Sequence, residues 1–334
     1  MAVRFTRTDG TPLPINGFYS GSAAFFLASG PSLLQEDLDA LKAPHLIKFG
    51  VNNSPATIKP NLWTMVDDTK SFLLSTWMNP SIIKFIPDGK PEHTLWDNNE
   101  WRESNLKVKD CPGVVLYPRN EYFQAEKFLG EDTVNWGNHT NRCACGWIRP
   151  DRLKKCPSCY EDQWRKDKCQ KCGYCRPKQV RKCESCGLEN RFGSRSVMLA
   201  SLKIMWEIGV RTVFLLGCDF SMQAGKQNYH FKQARSKGSV KNNNATYEML
   251  SERFDNARPY FKKAGFNVYN CTPNSGLKSF DYMPTAEAIE IASKYHPAVE
   301  NTEGLYDRKV NEKKKRKGKI RTLEEFINAR RDLV

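Results

Sequence analysis

AAFFLASGPSL, residues 23–33, is the stretch on which the fold turns. Ala23 to Ala28 is an unbroken apolar run with no polar alternation, the pattern of a strand buried on both faces of a parallel sheet. The run ends at Ser29-Gly30-Pro31-Ser32, and a helix is expected over residues 34–42. A glycine turn between strand and helix lets backbone N–H groups approach a phosphate, with added positive potential from the helix start. Gly30, Pro31 and Ser32 are therefore candidate phosphate contacts, and Ser32 suits either that task or a helix cap. The turn has neither the Walker A lysine nor the GxGxxG spacing.

Working outward, residues 45–51 read as a second strand running into Asn52-Asn53, and 62–66 as a third running into Asp67-Asp68-Thr69. Residues 81–86 and 113–117 are further strands, with helices expected over 71–78 and 121–129. After the middle of the chain come a helix at 194–207 and the clearest buried strand, 212–217, which ends in Cys218-Asp219-Phe220. A helix at 247–264 stopped by Gly265, a strand at 266–270, a polar turn at 272–276 and a helix at 284–295 follow. Polar residues at the carboxyl ends of successive strands mark the ligand edge of an open α/β sheet, although Asn and Asp also cap turns in their own right. Residues 93–105, HTLWDNNEWRESN, read as a long loop or short helices, with Trp96 and Trp101 either stacking on a ligand or packing. Residues 221–244, which contain Tyr229-His230-Phe231, read as a lid or acceptor loop. No internal repeat is evident.

Nine of the twelve cysteines lie between Cys143 and Cys186, as CAC, CPSC, CQKCGYC and CESC. The residues between them are largely Lys, Arg, Gly and Pro, too polar to hold a fold by apolar burial, and thiolate-bound zinc is the usual substitute. The knuckle spacing assigns Cys143, Cys145, Cys156 and Cys159 to one Zn²⁺, and Cys169, Cys172, Cys183 and Cys186 to a second. Cys175 in place of Cys169, and His139 in place of a first-site cysteine, remain open alternatives. The expected organisation is a first α/β half over 1–141, a zinc-ribbon insertion with two sites over 142–191, a second α/β half over 192–300, and a basic tail with a short helix over 301–334. Together these give an α/β fold, a mostly parallel sheet with helices on both faces, interrupted by a cysteine-rich insertion.

The formal net charge is +15. Residues 142–191 hold fourteen Lys/Arg against six Asp/Glu, and residues 305–321 hold nine against two, so these two segments account for the whole excess. Charge confined in this way points to an anionic macromolecule, with nucleic acid ahead of an acidic membrane surface. No apolar run is long enough to span a bilayer. MAVRFTRTDG has no apolar core of a secretory signal, and the paired cysteines suit a reducing compartment. A cytoplasmic location is expected, in the host cytoplasm if the chain is viral, with no obligate protein partner in evidence.

The strand–SGPSL–helix start, Asn52 after the second strand, Asp67 after the third, and LLGCDF followed by YHF resemble one superfamily over about two-fifths of the chain. It comprises bacterial sialyltransferases, motility-associated glycosyltransferases and 6-hydroxymethylpterin diphosphokinase-like proteins. The resemblance implies a Rossmann-like nucleotide-binding sheet and, for most members, sugar transfer from an activated nucleotide. It places Gly30, Pro31 and Ser32 against the donor's phosphates, Asn52 on the nucleotide or transferred group with Asn53 as a further donor-binding candidate, Asp67 and Asp68 beside the donor, and Asp219, a candidate catalytic residue, near nucleotide or acceptor. By the same analogy His230 is the general base, a task that its unperturbed pKa near 6.5 suits. A pair such as Asp67-Asp68 would hold Mg²⁺ or Mn²⁺. Joined to the basic zinc segment, the expectation is a nucleotide-sugar-dependent glycosyltransferase acting on a hydroxymethylated pyrimidine of double-stranded DNA, as in phage DNA modification. The alternatives are a pterin diphosphokinase-like pyrophosphoryl transferase and a non-catalytic zinc-ribbon nucleic-acid-binding protein.

Overall fold

The computed structural model describes residues 5–100, 102–118, 125–130, 196–231 and 236–295, with the backbone alone at 127, 164–165 and 168–169. The cysteines from Cys143 to Cys186 fall outside the described residues except for the backbone of Cys169. His139, Trp101 and the basic tail lie outside them as well.

The strands are β1 (Ala23–Leu27), β2 (Ile47–Val51), β3 (Leu62–Thr64), β4 (Ile83–Pro87), β5 (Thr94–Asp97), β6 (Arg102–Lys107), β7 (Val114–Tyr117), β8 (Trp164–Arg165), β9 (Lys168–Cys169), β10 (Thr212–Leu216) and β11 (Asn267–Asn270). The helices are α1 (Leu38–Leu41), α2 (Leu74–Met78), α3 (Val197–Glu207), α4 (Lys237–Ala264) and α5 (Thr285–Lys294). Seven strands make one sheet in the order β11-β10-β1-β2-β3-β4-β7, and every pairing in it is parallel. The fold is therefore α/β, and strands from both sides of residues 142–191 meet in it. From β1 the chain steps outward through β2, β3 and β4 to β7, then returns to the other flank of β1 with β10 and β11. The direction of travel reverses between β1 and β10, which puts the topological switch point there.

The buried apolar runs explain why β1 and β10 sit at the centre. All five residues of each strand are buried. In register, Phe25 lies opposite Phe214 and Phe214 opposite Tyr269, so an aromatic row crosses three strands with ring centroids 5.3 and 5.9 Å apart. Ala288 and Ala292 of α5 and Leu41 of α1 pack into this cluster. A second cluster gathers Trp63, Phe72, Trp77, Ile86 and Leu116 around β3, β4 and β7. Helix α3 is buried continuously from Met198 to Met205. It carries the Lys203–Glu207 ion pair inside the protein, with Lys203 Nζ also donating to Gly130 O at 3.3 Å.

Four expectations about elements change. Residues 93–105 are largely an antiparallel hairpin, β5–β6, because Asp97 Oδ1 accepts from Asn99 N and Glu100 N at 2.9 and 3.2 Å and closes the turn between the strands. The helix expected over 34–42 is divided into a 3-10 turn, Pro31–Gln35, and the short α1, which Asp37 Oδ1 caps through Ala40 N at 3.0 Å. The loop expected to reach residue 244 stops at Ser236, whose hydroxyl caps α4 through Ser239 N at 3.1 Å. Asn244 stays helical with its amide turned on Met222, accepting from Met222 N at 2.9 Å and donating to Met222 O at 3.0 Å.

The fourth change is a repeat. Ile47-Lys48-Phe49 and Ile83-Lys84-Phe85 open β2 and β4 with the same device. Lys48 Nζ donates to Ala43 O and Leu46 O at 3.1 and 2.9 Å; Lys84 Nζ donates to Asn79 O and Ile82 O at 2.7 and 2.9 Å, and to Pro112 O at 2.8 Å. In both cases the lysine binds the carbonyls two and five residues before itself. Burial draws the Lys84 ammonium down to a pKa of about 8, so it stays charged at neutral pH.

Candidate active site

The turns after β1 and β10 interlock at the switch point. Gly30 N donates to Gly217 O at 2.9 Å. Asp219 Oδ2 accepts from the Ser32 hydroxyl at 2.8 Å and lies 3.4 Å from Ser32 N. A Cβ at residue 30 would overlap both the Asp219 carboxylate and the Gly217 carbonyl, so close approach of the two turns requires glycine. The sequence reading placed Gly30, Pro31 and Ser32 against the donor's phosphates and Asp219 near nucleotide or acceptor, and the structure brings Gly30, Ser32 and Asp219 together. It also gives the Ser32 hydroxyl and N–H an anionic partner from within the chain. Ser32 is not the cap of the turn: Gly30 holds that position, with Pro31 at the first residue.

Residues 272–276 splint the Asp219 turn from the far side. Thr272 Oγ1 accepts from Cys218 N at 2.9 Å, Ser275 Oγ donates to Cys218 O, and Gly276 N donates to Asp219 O at 2.8 Å. Phe220, held at a φ of 51°, stacks on Tyr247 of α4 with centroids 4.9 Å apart. Cys218 and Cys271 are buried thiols whose pKa values burial raises, Cys271 to about 12, and they serve packing rather than nucleophilic chemistry.

His230 reaches this edge from the loop after β10. Its N–H donates to Ser29 O at 3.1 Å, and its Nδ1 lies 2.5 Å from the Thr57 hydroxyl, beyond the end of β2. The ring packs edge-on against Phe231 with centroids 4.8 Å apart. The residue is 7% exposed, and burial lowers its pKa to about 4, well below the unperturbed value assumed from sequence. The imidazole is therefore neutral at physiological pH.

Asn52 follows β2 in the left-handed region, φ 51°, a conformation that asparagine tolerates better than most residues. Its carbonyl accepts from Trp63 Nε1 at 2.8 Å and its N–H donates to Thr64 O at 3.2 Å. Asn53 Nδ2 reaches Ser71 O at 3.5 Å. Asp67 and Asp68 are exposed after β3, two strands from β1, where Asp68 Oδ1 accepts from Lys70 N at 3.1 Å. Among the described residues no hydrogen bond or ion pair joins that pair to Asp219. Among the described residues there is no group of three or more His, Cys, Asp or Glu placed to hold a metal ion.

Three buried polar atoms at this edge have no hydrogen-bond partner: Ser29 Oγ, Asn52 Oδ1 and His230 Nε2. They belong to the turn after β1, the turn after β2 and the loop after β10. Orphaned polar atoms are uncommon inside proteins, and a group of them at one edge calls for a ligand or ordered water. Sequence reading picked Asn52 and His230 but missed Ser29 and Thr57, whose residue types carry no signal without the turns that place them. No helix among the described residues is long and apolar enough to cross a membrane. No family model matches the chain, and no curated protein or solved structure matches it.

Proposed function

We propose that the chain is a nucleotide-sugar-dependent glycosyltransferase that modifies DNA, adding a sugar to a hydroxymethylated pyrimidine. The observation that supports this reading is that three buried polar atoms in segments following β1, β2 and β10 of a parallel sheet, Ser29 Oγ, Asn52 Oδ1 and His230 Nε2, have no hydrogen-bond partner. A ligand rich in hydroxyl and amide groups, such as a nucleotide-sugar, would supply what these atoms lack. Its diphosphate would lie beside the Gly30 turn rather than on the Ser32 donors, which already face the Asp219 carboxylate. Asp67 and Asp68 form an exposed carboxylate pair of the kind that, with water and substrate phosphates, accommodates Mg²⁺ or Mn²⁺.

His230 then acts as general base. The acceptor hydroxyl gives its proton to the ring as its oxygen bonds to the anomeric carbon. The bond from that carbon to the phosphate oxygen breaks, and the electron pair leaves with the nucleotide. A pKa of about 4 is low for this task, but a bound anionic donor raises the basicity of a neighbouring imidazole. Asp219 holds the Gly30 turn against the β10 edge. Residues 142–191 and 301–334 would supply the basic charge for DNA, and Cys143, Cys145, Cys156, Cys159, Cys169, Cys172, Cys183 and Cys186 would hold two Zn²⁺, with Cys175 left over. Cys169 is the last residue of β9, which pairs antiparallel with β8. A base inside a duplex must be flipped out or worked on from the groove, and a basic clamp on the phosphates makes that binding salt-dependent.

Mass spectrometry of nucleosides from hydroxymethylated DNA of cells expressing the chain tests the proposal. A hexose or pentose increment on the modified pyrimidine is expected. Unmodified nucleosides across a panel of donors, or turnover of a hydroxymethylpterin with ATP instead, would replace this reading with another.

A further inference from the structure

We propose that Thr57 is a positioning residue for His230: its hydroxyl accepts the Nδ1–H of the neutral ring, leaving the lone pair on Nε2 for the substrate hydroxyl. This rests on the glycosyl-transfer reading above, but the state of the ring is a separate matter that can be measured without transfer.

Among the described residues Thr57 Oγ1, 2.5 Å from Nδ1, is the hydrogen-bond partner of the His230 ring, and Nε2 has none. Two tautomers fit that contact. With the proton on Nε2, the hydroxyl donates to Nδ1 and a buried N–H is orphaned. With the proton on Nδ1, the hydroxyl accepts and the orphan is a lone pair. Orphaned buried N–H groups are rarer than under-used acceptors, which favours the second state. That state is also the one a general base needs, because which nitrogen is protonated is set by the bond the other makes.

The surroundings hold Thr57 firmly. Thr57 N donates to Ser54 O at 3.0 Å, and Ile58 N shares the same carbonyl at 3.3 Å. Ser54 is wholly buried, and its hydroxyl accepts from Val51 N at 2.9 Å, tying the turn to the end of β2. Ile58 is anchored in the cluster with Phe25 and Leu27. The opposite side of the contact is fixed as well, since His230 N is bonded to Ser29 O. A ring held at its backbone by the β1 turn and at Nδ1 by the β2 turn has a set direction for Nε2. Unlike a carboxylate behind a histidine, a hydroxyl adds no charge. It selects tautomer and orientation while leaving the ring neutral.

The test uses the full-length chain with ¹⁵N-labelled histidine, the His230 signals being assigned by their loss in His230→Gln. Long-range ¹H–¹⁵N spectra at neutral pH should show a protonated, pyrrole-type Nδ1 and an unprotonated, pyridine-type Nε2. Thr57→Val should shift both nitrogens toward a mixture of tautomers, and Thr57→Ser should restore the wild-type pattern. In transfer assays with a hydroxymethylated duplex, Thr57→Val should lower kcat by about tenfold, the lower end of what a histidine's supporting partner is worth. The donor KM should be little changed, and Thr57→Ser should recover the rate. A protonated Nε2 in the wild type, or a Thr57→Val spectrum identical to wild type, overturns the proposal. So does full kcat in Thr57→Val. Absence of transfer by the wild type with every donor refutes the glycosyltransferase reading instead, and the ring spectra still decide the role of Thr57.

Discussion

Gly30 and Asp219 are residues whose importance is readable from sequence, and their contact is not. A glycine after an apolar strand and an acid after another both fit a ligand edge, but nothing in the letters says that Asp219 would bind Ser32 at 2.8 Å. The structure gives that pair a measurable weight. Replacing Asp219 by Asn keeps the shape but removes a charge-assisted acceptor, and urea unfolding should show a loss of about 1–2 kcal/mol. Gly30→Ala forces a Cβ into the carboxylate and the Gly217 carbonyl and should cost about 3 kcal/mol in the same experiment. His230 brings a pH dependence. Its folded pKa, about 4, lies below the unfolded value near 6.5, so between those limits the unfolded chain binds more protons. Its contribution to stability is present above pH 6.5 and is lost as pH falls through 4. Unfolding midpoints of wild type and His230→Gln should therefore converge as the pH drops across that window.

At the scale of elements, the strands were the legible part, because β1, β2 and β10 are apolar runs bounded by turn residues. The hairpin β5–β6 was obscured by its composition. Trp96 and Glu103 face each other across it, and the exposed pairs Lys70–Glu103 and Lys107–Glu92 line it, so no simple alternation marks the strands. The start of α4 was obscured by Asn242-Asn243-Asn244, poor helix formers, until the Asn244–Met222 bonds supply the reason for asparagine there. The shared lysine device of β2 and β4 was missed because nothing in the sequence marks the carbonyls that Lys48 and Lys84 reach. In fact Lys84 ties three carbonyls at the amino end of β4 to one ammonium. Lys84→Met leaves those carbonyls without their donor, and a destabilisation of about 3 kcal/mol is expected by chemical denaturation. Lys48→Met, with two carbonyls affected, should cost less.

At the scale of the molecule, the sheet is made of strands from both sides of residues 142–191, and the net charge of +15 resides in that segment and the tail. The parallel sheet was legible because buried strands separated by helices leave few other solutions. The switch point was not, since strand order depends on which flank of β1 receives β10. On the proposed reading, a body with a neutral charge balance does the chemistry and the basic insertion captures DNA. Deleting residues 142–191 should abolish duplex binding while leaving the sheet folded, as read by gel shift and circular dichroism. For the intact chain, log affinity should fall linearly with log salt. Metal analysis should find two Zn²⁺ per chain. The most direct measurement is transfer of label from a nucleotide-sugar to a hydroxymethylated duplex by wild type and His230→Gln side by side. Labelled DNA from the wild type, with a rate about 100-fold lower in the variant, is the expected result. Equal rates in the two proteins, or no labelled DNA from any donor, would contradict an active site at the β1–β10 switch point.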